Sequence, residues 1–132
     1  MNIKTHKKIN QKISGIPMRV EKGECTVKLK TTKEMITDEK GLIHGGFIYS
    51  TADYAAMLAV NHPNVVLGRS SFKFIKPMTL NETLFAKANV IESEAGKKIV
   101  RVQVEREKRG SNDIIAEGEF ICYIPKKHVL EG

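Results

Sequence analysis

The sequence contains no tryptophan, few other aromatic residues, two cysteines and four prolines in 132 residues. Cys25 and Cys122 lie far apart and fit no metal-ligand spacing, so we expect reduced core thiols, with a disulfide as the lesser alternative, and no metal site. The lysine-rich N-terminus lacks the apolar segment of a secretory signal, which predicts a cytoplasmic protein. Repeats and linkers are also missing, and the length suits a single domain spanning residues 1–132.

Long charge-free apolar runs are missing as well. The best candidate is GLIHGGFIYSTADYAAMLAVN, residues 41–61, and Asp53 interrupts it before it reaches the roughly 18 residues that can cross a bilayer. We therefore expect no membrane partner. Charged residues make up 28% of the chain, yet Asp53 is the only Asp, Glu, Lys or Arg between Gly41 and Gly68.

Acidic residues are fewer than basic residues, and the formal net charge is +7. The lysines are scattered along the chain, which is typical of a solvated surface but is also compatible with an anionic partner such as a phosphate-bearing small molecule. The sequence has no run of five like charges, no basic stripe interleaved with aromatic residues and no helix-turn-helix or zinc spacing. We therefore expect no nucleic-acid partner.

Apolar periodicity predicts two helices and six strands in the order α–β–β–α–β–β–β–β. The predicted segments are a short amphipathic helix over 5–14, a hairpin over 16–32, a long helix over 44–61, and strands over 65–76, 83–94, 97–107 and 114–125. Gly15 ends the first helix, and Asn61 can take the left-handed conformation that closes the second. Because the long helix is apolar on nearly every face, we expect an antiparallel sheet to curl around it and a second subunit to help cover it.

The carboxylate of Asp53 is the strongest candidate for chemistry. A buried, unpaired carboxylate is costly, so it must find donors, take up a proton or serve a function. Tyr49 and Ser50 lie within about one helical turn and could simply hydrogen-bond it, which is the structural alternative. A desolvated carboxylate is otherwise a suitable general base or nucleophile.

The start of the same helix, His44-Gly45-Gly46, is a second candidate. The first N–H groups of a helix lack intrahelical partners, and glycines let a carbonyl oxygen approach them, although packing alone could explain the two glycines. Nine residues separate His44 from Asp53, which places them about 13 Å apart and on opposite helix faces. One small site within one chain cannot use both His44 and Asp53, so a site that uses both residues must combine two subunits.

The segment HGGFIYSTADYAAMLAVN, residues 44–61, resembles the helix signature of the hotdog-fold acyl-CoA thioesterases, particularly the PaaI-like branch. In that family His-Gly-Gly opens the central helix and an acidic residue follows nine positions after the histidine, here Asp53. The downstream SFKFIKPMTLNETLFAKANVIESEAGKKIVRVQVE is similar to the family's succession of strands, proline turn and Gly-Lys turn. The resemblance extends over residues 10–124 and implies an α+β hotdog fold, with an antiparallel sheet wrapped around one long central helix.

The resemblance also implies a function and a site. Family members form homodimers or tetramers with sites between subunits, which would meet the two-chain requirement. The amide of Gly46 would polarise the thioester carbonyl of acyl-CoA, His44 would orient the substrate, and Asp53 of the facing subunit would act as nucleophile or as base for water. Further contacts to substrate or coenzyme A are implied for Gly45, Asp38, Ser70, Ser71, Phe74, Gly96, Lys97 and Lys98. The resemblance thus implies acyl-CoA as the substrate or ligand, and it implies no cofactor.

Two positions depart from the family pattern. Asp38 stands where relatives often carry an asparagine, and a carboxylate there could raise the pKa of Asp53 or point to solvent. Asn81-Glu82 stands where Gly-Asp is usual. Two functions follow from the resemblance: an acyl-CoA thioesterase, favoured by the retained Asp53, and a non-catalytic acyl-CoA-binding protein acting as sensor, regulator or accessory factor.

Overall fold

The computed structural model describes residues 1–132 and contains the helices and strands in the predicted order. Their bounds are α1 Gln11–Ser14, β1 Ile16–Glu21, β2 Glu24–Lys30, α2 Gly45–Val60, β3 Val66–Phe74, β4 Thr83–Glu94, β5 Lys97–Arg106 and β6 Asp113–Tyr123. A single 3₁₀ turn, Lys33–Met35, lies in the connection that precedes α2.

The six strands form one antiparallel sheet in the order β1-β2-β4-β5-β6-β3. The strands β4, β5 and β6 follow one another as a meander, whereas β3 pairs with β6 and forms the far edge of the sheet. The helix α2 lies against all six strands. This arrangement confirms the predicted α+β hotdog fold.

The core lies between α2 and the inner face of the sheet. Alanines such as Ala52, Ala55 and Ala56 are fully buried, and their small side chains let the helix lie close to the strands. Val102 on β5 is also fully buried, and each such valine contributes about 1.5–3 kcal/mol of transfer free energy. Asn61 closes α2 in the left-handed conformation, with φ 51° and ψ 52°, as predicted.

The prediction of an N-terminal helix over 5–14 is wrong for most of its length. Only Gln11–Ser14 is helical: Asn10 accepts the N–H of Lys12 at 3.0 Å, and Gly15 follows with φ 100°. The preceding residues 2–9, which we call the N-terminal strap, run across the end of α2. Their backbone bonds to distant groups, such as the amide of Asn61, replace the local bonds that a helix would have required.

The predicted first hairpin is present as β1 and β2. Within it Val20 is partly buried, whereas Met18 is exposed where the register of β1 against β2 shifts between Pro17 and Arg19. The cysteines agree with expectation, since Cys25 and Cys122 are both buried free thiols. No helix in the structure is both long enough and apolar enough to cross a membrane.

Candidate functional site

The amino end of α2 brings together four of the predicted residues. His44 is the N-cap residue, and its side chain makes no capping hydrogen bond. A β-carbon added to Gly46 would lie 2.8 Å from His44 Nε2, and one added to Gly45 would lie 3.2 Å from the ring of Phe74. The two glycines therefore allow an imidazole and a phenyl ring to lie directly against the helix backbone. We call His44, Gly45, Gly46 and Phe74 the amide half-site.

The amide half-site offers unpaired donors. The N–H groups of Gly45 and Gly46 have no backbone acceptor, and they lie at the positive end of the helix dipole. Leu42, Phe74 and Ile75 expose much of their apolar side chains around this point. Two unpaired N–H groups beside apolar side chains can donate hydrogen bonds to the carbonyl oxygen of an acyl group.

Asp53 lines a separate cleft of about 560 Å³, which does not include the amide half-site. Its Oδ1 atom is buried without a hydrogen-bond partner, and burial raises the pKa of Asp53 to about 6. The alternative that Tyr49 or Ser50 hydrogen-bonds Asp53 is wrong. The Tyr49 hydroxyl lies 2.6 Å from Ser70 Oγ, and the Ser50 hydroxyl lies 2.7 Å from Ser14 Oγ. The carboxylate is therefore desolvated and available, as a general base or nucleophile requires.

The walls of the Asp53 cleft come from distant parts of the chain. They are formed by residues 4–7 of the N-terminal strap, Asp53 and Met57 of α2, Pro63 and residues 65–67 before and within β3, and His128. Met57 lies one helical turn after Asp53 and reaches the cleft. Tyr54 is a core residue, and Tyr49 packs against Phe72 and Phe120.

The register of the sheet places the predicted lysines at the Asp53 end. Lys97 on β5 is the cross-strand neighbour of Tyr123, which in turn pairs with Val66 beside the cleft. Lys98 likewise pairs with Cys122, whose pKa is raised by burial and by the nearby charge of Asp53. Lys97 and Lys98 are successive strand residues whose side chains point to opposite faces of the sheet, so they mark the β4–β5 turn and not one surface. We call Asp53 together with this turn, Gly96, Lys97 and Lys98, the carboxylate half-site.

The two half-sites lie at opposite ends of β3. Phe74 ends the strand that Val66 begins, and the eight steps from one residue to the next between them span about 26 Å. One chain therefore presents an amide half-site and a carboxylate half-site that cannot contact the same thioester. Along α2 itself, His44 and Asp53 are also kept apart, by about 13 Å at 1.5 Å per residue.

The two predicted serines both line a shallow groove with Arg69 and Glu119. The hydroxyl of Ser70 points to the helix, where it bonds Tyr49. Ser71 is exposed. Successive residues of a strand point to opposite faces, so the two hydroxyls cannot serve one site within a chain.

The departures from the family pattern have local structural roles. Asp38 Oδ1 accepts the N–H groups of Lys40 and Leu42 at 3.0 and 3.1 Å, which holds the loop before α2. Within the chain, burial and not a second carboxylate raises the pKa of Asp53. Glu82 Oε1 accepts the N–H group of Thr79 at 2.7 Å and so stabilises the turn that begins after Pro77.

Sequence reasoning missed the contribution of the N-terminal strap. Thr5 and His6 line the Asp53 cleft, and His6 has φ 53°. A lone histidine in a lysine-rich segment carries no signal for such a position, because left-handed backbone is commonly indicated by glycine or asparagine. Only long-range contacts place this segment beside Asp53.

Comparisons with known proteins indicate the family of the chain. The Thioesterase superfamily profile matches residues 40–112. The methylthioribose-1-phosphate isomerase of Aquifex aeolicus is 49% identical over 120 residues, which cover 91% of this chain and 25% of that protein. The transcription factor FapR of Caldanaerobacter subterraneus is 24% identical over 124 residues, covering 93% of this chain and 60% of FapR. The chain thus spans only a part of these curated relatives.

Solved structures match over the full fold. Protein PH1136 of Pyrococcus horikoshii is 47% identical with a TM-score of 0.93, covering 98% of this chain and 97% of that one. The virulence protein Cj0977 of Campylobacter jejuni is 25% identical with a TM-score of 0.84, covering 98% and 89%. The PaaI protein of Escherichia coli shares the fold at 19% identity, with a TM-score of 0.78 and coverage of 88% and 83%. Because the superfamily profile spans more than half of the chain and the sheet wraps a single central helix, the chain belongs to the thioesterase superfamily and has its hotdog fold.

Proposed function

We propose that this protein is an acyl-CoA thioesterase whose active site joins the amide half-site of one subunit to the carboxylate half-site of a second subunit. The observation that carries the proposal is the desolvated Asp53 carboxylate, which has no partner in its own chain. Membership of the thioesterase superfamily supports thioester hydrolysis as the reaction class.

The free edge of the sheet supports a two-subunit site. β3 pairs with β6 on one side only, and an open edge strand is suited to pairing with a second copy. If β3 pairs antiparallel with its symmetry mate, the Val66 end of one strand lies beside the Phe74 end of the other. This pairing would bring the two half-sites together and cover the exposed side chains of Leu42, Phe74 and Ile75.

The proposed reaction uses each half-site for one task. The N–H group of Gly46 donates to the thioester carbonyl oxygen and stabilises the negative charge that develops there. The Asp53 carboxylate takes a proton from water while the water oxygen attacks the carbonyl carbon. The carbon–sulfur bond then breaks, the thiolate takes up that proton, and the carboxylic acid and coenzyme A leave.

Direct attack by Asp53 is the second route that the same geometry allows. The carboxylate oxygen would form a mixed anhydride with the acyl group and release the thiolate, and water would then hydrolyse the anhydride. Labelled water distinguishes the routes, because a single turnover through the anhydride can place one labelled oxygen in Asp53.

The β4–β5 turn is the proposed contact for the anionic part of coenzyme A. Gly96 takes φ 77° there, and Lys97 and Lys98 follow directly. Ammonium groups form strong, charge-assisted hydrogen bonds with phosphate. Part of the chain's positive charge thereby acquires a role near the carboxylate half-site.

A non-catalytic acyl-CoA sensor is the second candidate function. It is favoured by the similarity to FapR, which is named a transcription factor. We propose no isomerase activity, because the match to the isomerase spans only a quarter of that protein.

Release of free thiol from a panel of acyl-CoAs tests the proposal. We expect wild type to hydrolyse at least one class, and Asp53→Ala to lose about 10²–10⁴-fold in kcat while still binding that acyl-CoA in calorimetry. Glu39→Ala, which removes an exposed carboxylate, should change little. Tight binding without turnover in wild type would replace this proposal with the sensor.

The pH dependence of the same assay provides a second observation. Because the base must be ionised, kcat/KM should rise with pH around a midpoint near the raised pKa of Asp53, about 6. A midpoint near 4, the ordinary value for an aspartate, would contradict a desolvated base.

A further inference from the structure

The N-terminal strap holds a histidine in an unusual conformation beside Asp53. His6 has φ 53°, a left-handed conformation that is uncommon for residues with a β-carbon and persists where surrounding contacts hold it. The contacts are present: the Lys4 N–H donates to Asn61 Oδ1, and Asn61 Nδ2 donates to the Asn2 carbonyl, both at 2.8 Å. Asn61 is the C-cap residue of α2, the helix that carries Asp53.

The ring of His6 is oriented by its neighbour. Thr5 is buried, and its Oγ1 lies 2.8 Å from Nδ1 of His6. Nδ1 is therefore occupied, and Nε2 is the nitrogen left for a molecule in the cleft that His6 shares with Asp53.

Burial favours the neutral form of the His6 ring. Burial lowers the pKa of His6, so the imidazole is neutral at and above neutral pH. The other titratable groups that line the cleft are Lys4 and Lys7 on the strap, Asp53 on α2 and His128 near the C-terminus. A neutral imidazole can accept a hydrogen bond through its unprotonated nitrogen.

We propose that His6 is a positioning residue for the attacking water, an inference that rests on the proposed thioesterase function. Nδ1–H donates to Thr5 Oγ1, and Nε2 accepts one hydrogen of the water whose other hydrogen is bound by Asp53. With both hydrogens held, the lone pair of the water points toward the thioester carbon. The proton bound by Asp53 passes to the carboxylate and then to the thiolate, and the one bound by His6 stays on the acid product.

The protonated nitrogen of His6 can be measured without turnover. In ¹⁵N spectra of the ring at about pH 8, we expect the Nδ1–H form for His6 in the wild-type protein. His128 is the internal control, because the Leu130 N–H donates to its Nδ1 at 3.1 Å and requires the Nε2–H form. An Nε2–H form at His6 would overturn the proposal.

Kinetics of matched variants test the positioning role. His6→Asn tolerates left-handed backbone but is too short to replace Nε2, so we expect kcat to fall about 10- to 100-fold with KM within about twofold. His6→Gln, whose amide reaches the Nε2 position, should recover part of the loss. Lys8→Ala, on the strap but outside the cleft, should match wild type.

Two results separate this inference from the proposed function. Hydrolysis that depends on Asp53 but is unchanged in His6→Asn would overturn the role of His6 alone. An absence of hydrolysis in wild type would overturn the thioesterase proposal, and the positioning role with it. A loss in His6→Asn that appears in KM, or that Gln does not relieve, would indicate a structural contribution and would also overturn the positioning role.

Discussion

At the scale of single residues, function and stability conflict at Asp53. The folded chain buries one of its carboxylate oxygens without a hydrogen bond, and desolvation of a charged group opposes folding. The surrounding helix carries no other charged side chain, so nothing on its own surface offsets that penalty. An oxygen left unpaired in this way is a common feature of sites that must bind or transfer a proton.

Replacing Asp53 with asparagine should stabilise the fold in a pH-dependent manner. The folded pKa of about 6 lies above the ordinary value of 3.8, so between these values the folded state binds more protons and the free energy of unfolding falls as pH rises. Ionised Asp53 thus costs about 2–3 kcal/mol at pH 7 to 8. Asp53→Asn should regain about 1–2 kcal/mol there and little near pH 4.

Urea denaturation of wild type and Asp53→Asn at both pH values measures this difference, with Glu39→Gln as the exposed control. Equal gains at pH 4 and pH 8 would show that ionisation of Asp53 is not the source of the instability.

Residues also differ in how much the sequence reveals about them. The isolation of Asp53 in an apolar stretch could be recognised without a structure, because charges are common elsewhere. His6 could not, because its position depends on Asn61, which is 55 residues away in the sequence. Contacts of that range leave no local pattern.

At the scale of elements, α2 was predictable because its apolar stretch and its C-cap are local signals. The helix was expected over 44–61 and runs from Gly45 to Val60. The segment 5–14 had apolar spacing of the same kind, but it is too short to be helical unless packing supports it. Packing supports the strap conformation instead, through the Asn61 amide and the bond between Thr5 and His6.

The amide half-site on α2 can be tested by Gly46→Ala. Alanine favours a helix by about 0.5–1 kcal/mol over glycine, so the variant should melt at the same temperature or higher. The added methyl group would lie 2.8 Å from His44 Nε2 and must displace that exposed ring. We expect kcat/KM to fall about 10- to 100-fold because access to the amide is restricted.

Thermal melting and acyl-CoA hydrolysis by the same preparation separate the two effects. Unchanged kcat/KM in a folded Gly46→Ala protein would show that the amide and His44 take no part in catalysis.

At the scale of the whole molecule, the fold separates the amide half-site at the start of α2 from the carboxylate half-site at its middle, and the two lie near opposite ends of the edge strand β3. The sequence could predict that division, because Asp53 follows His44 by nine positions along the helix. The sheet order could not be read locally, since β3 crosses to the far edge and pairs with the last strand, β6. Because β3 lies at the edge of the sheet, its outer side is unpaired beside both half-sites.

Solution mass tests the assembly. A subunit has a mass of 14.8 kDa, so light scattering of a dimer should give about 30 kDa, or twice that for a tetramer. A strict monomer that still hydrolyses acyl-CoA would rule out a shared site.

The most direct measurement co-expresses two impaired variants, Gly46→Ala and Asp53→Ala. In a mixed dimer, one site receives both altered half-sites and the other receives both intact ones. Random pairing makes half of the dimers mixed, with one working site each, so about a quarter of the wild-type hydrolysis rate should return. Activity no greater than that of the two separate variants, in preparations shown to contain mixed dimers, would contradict a site built from two subunits.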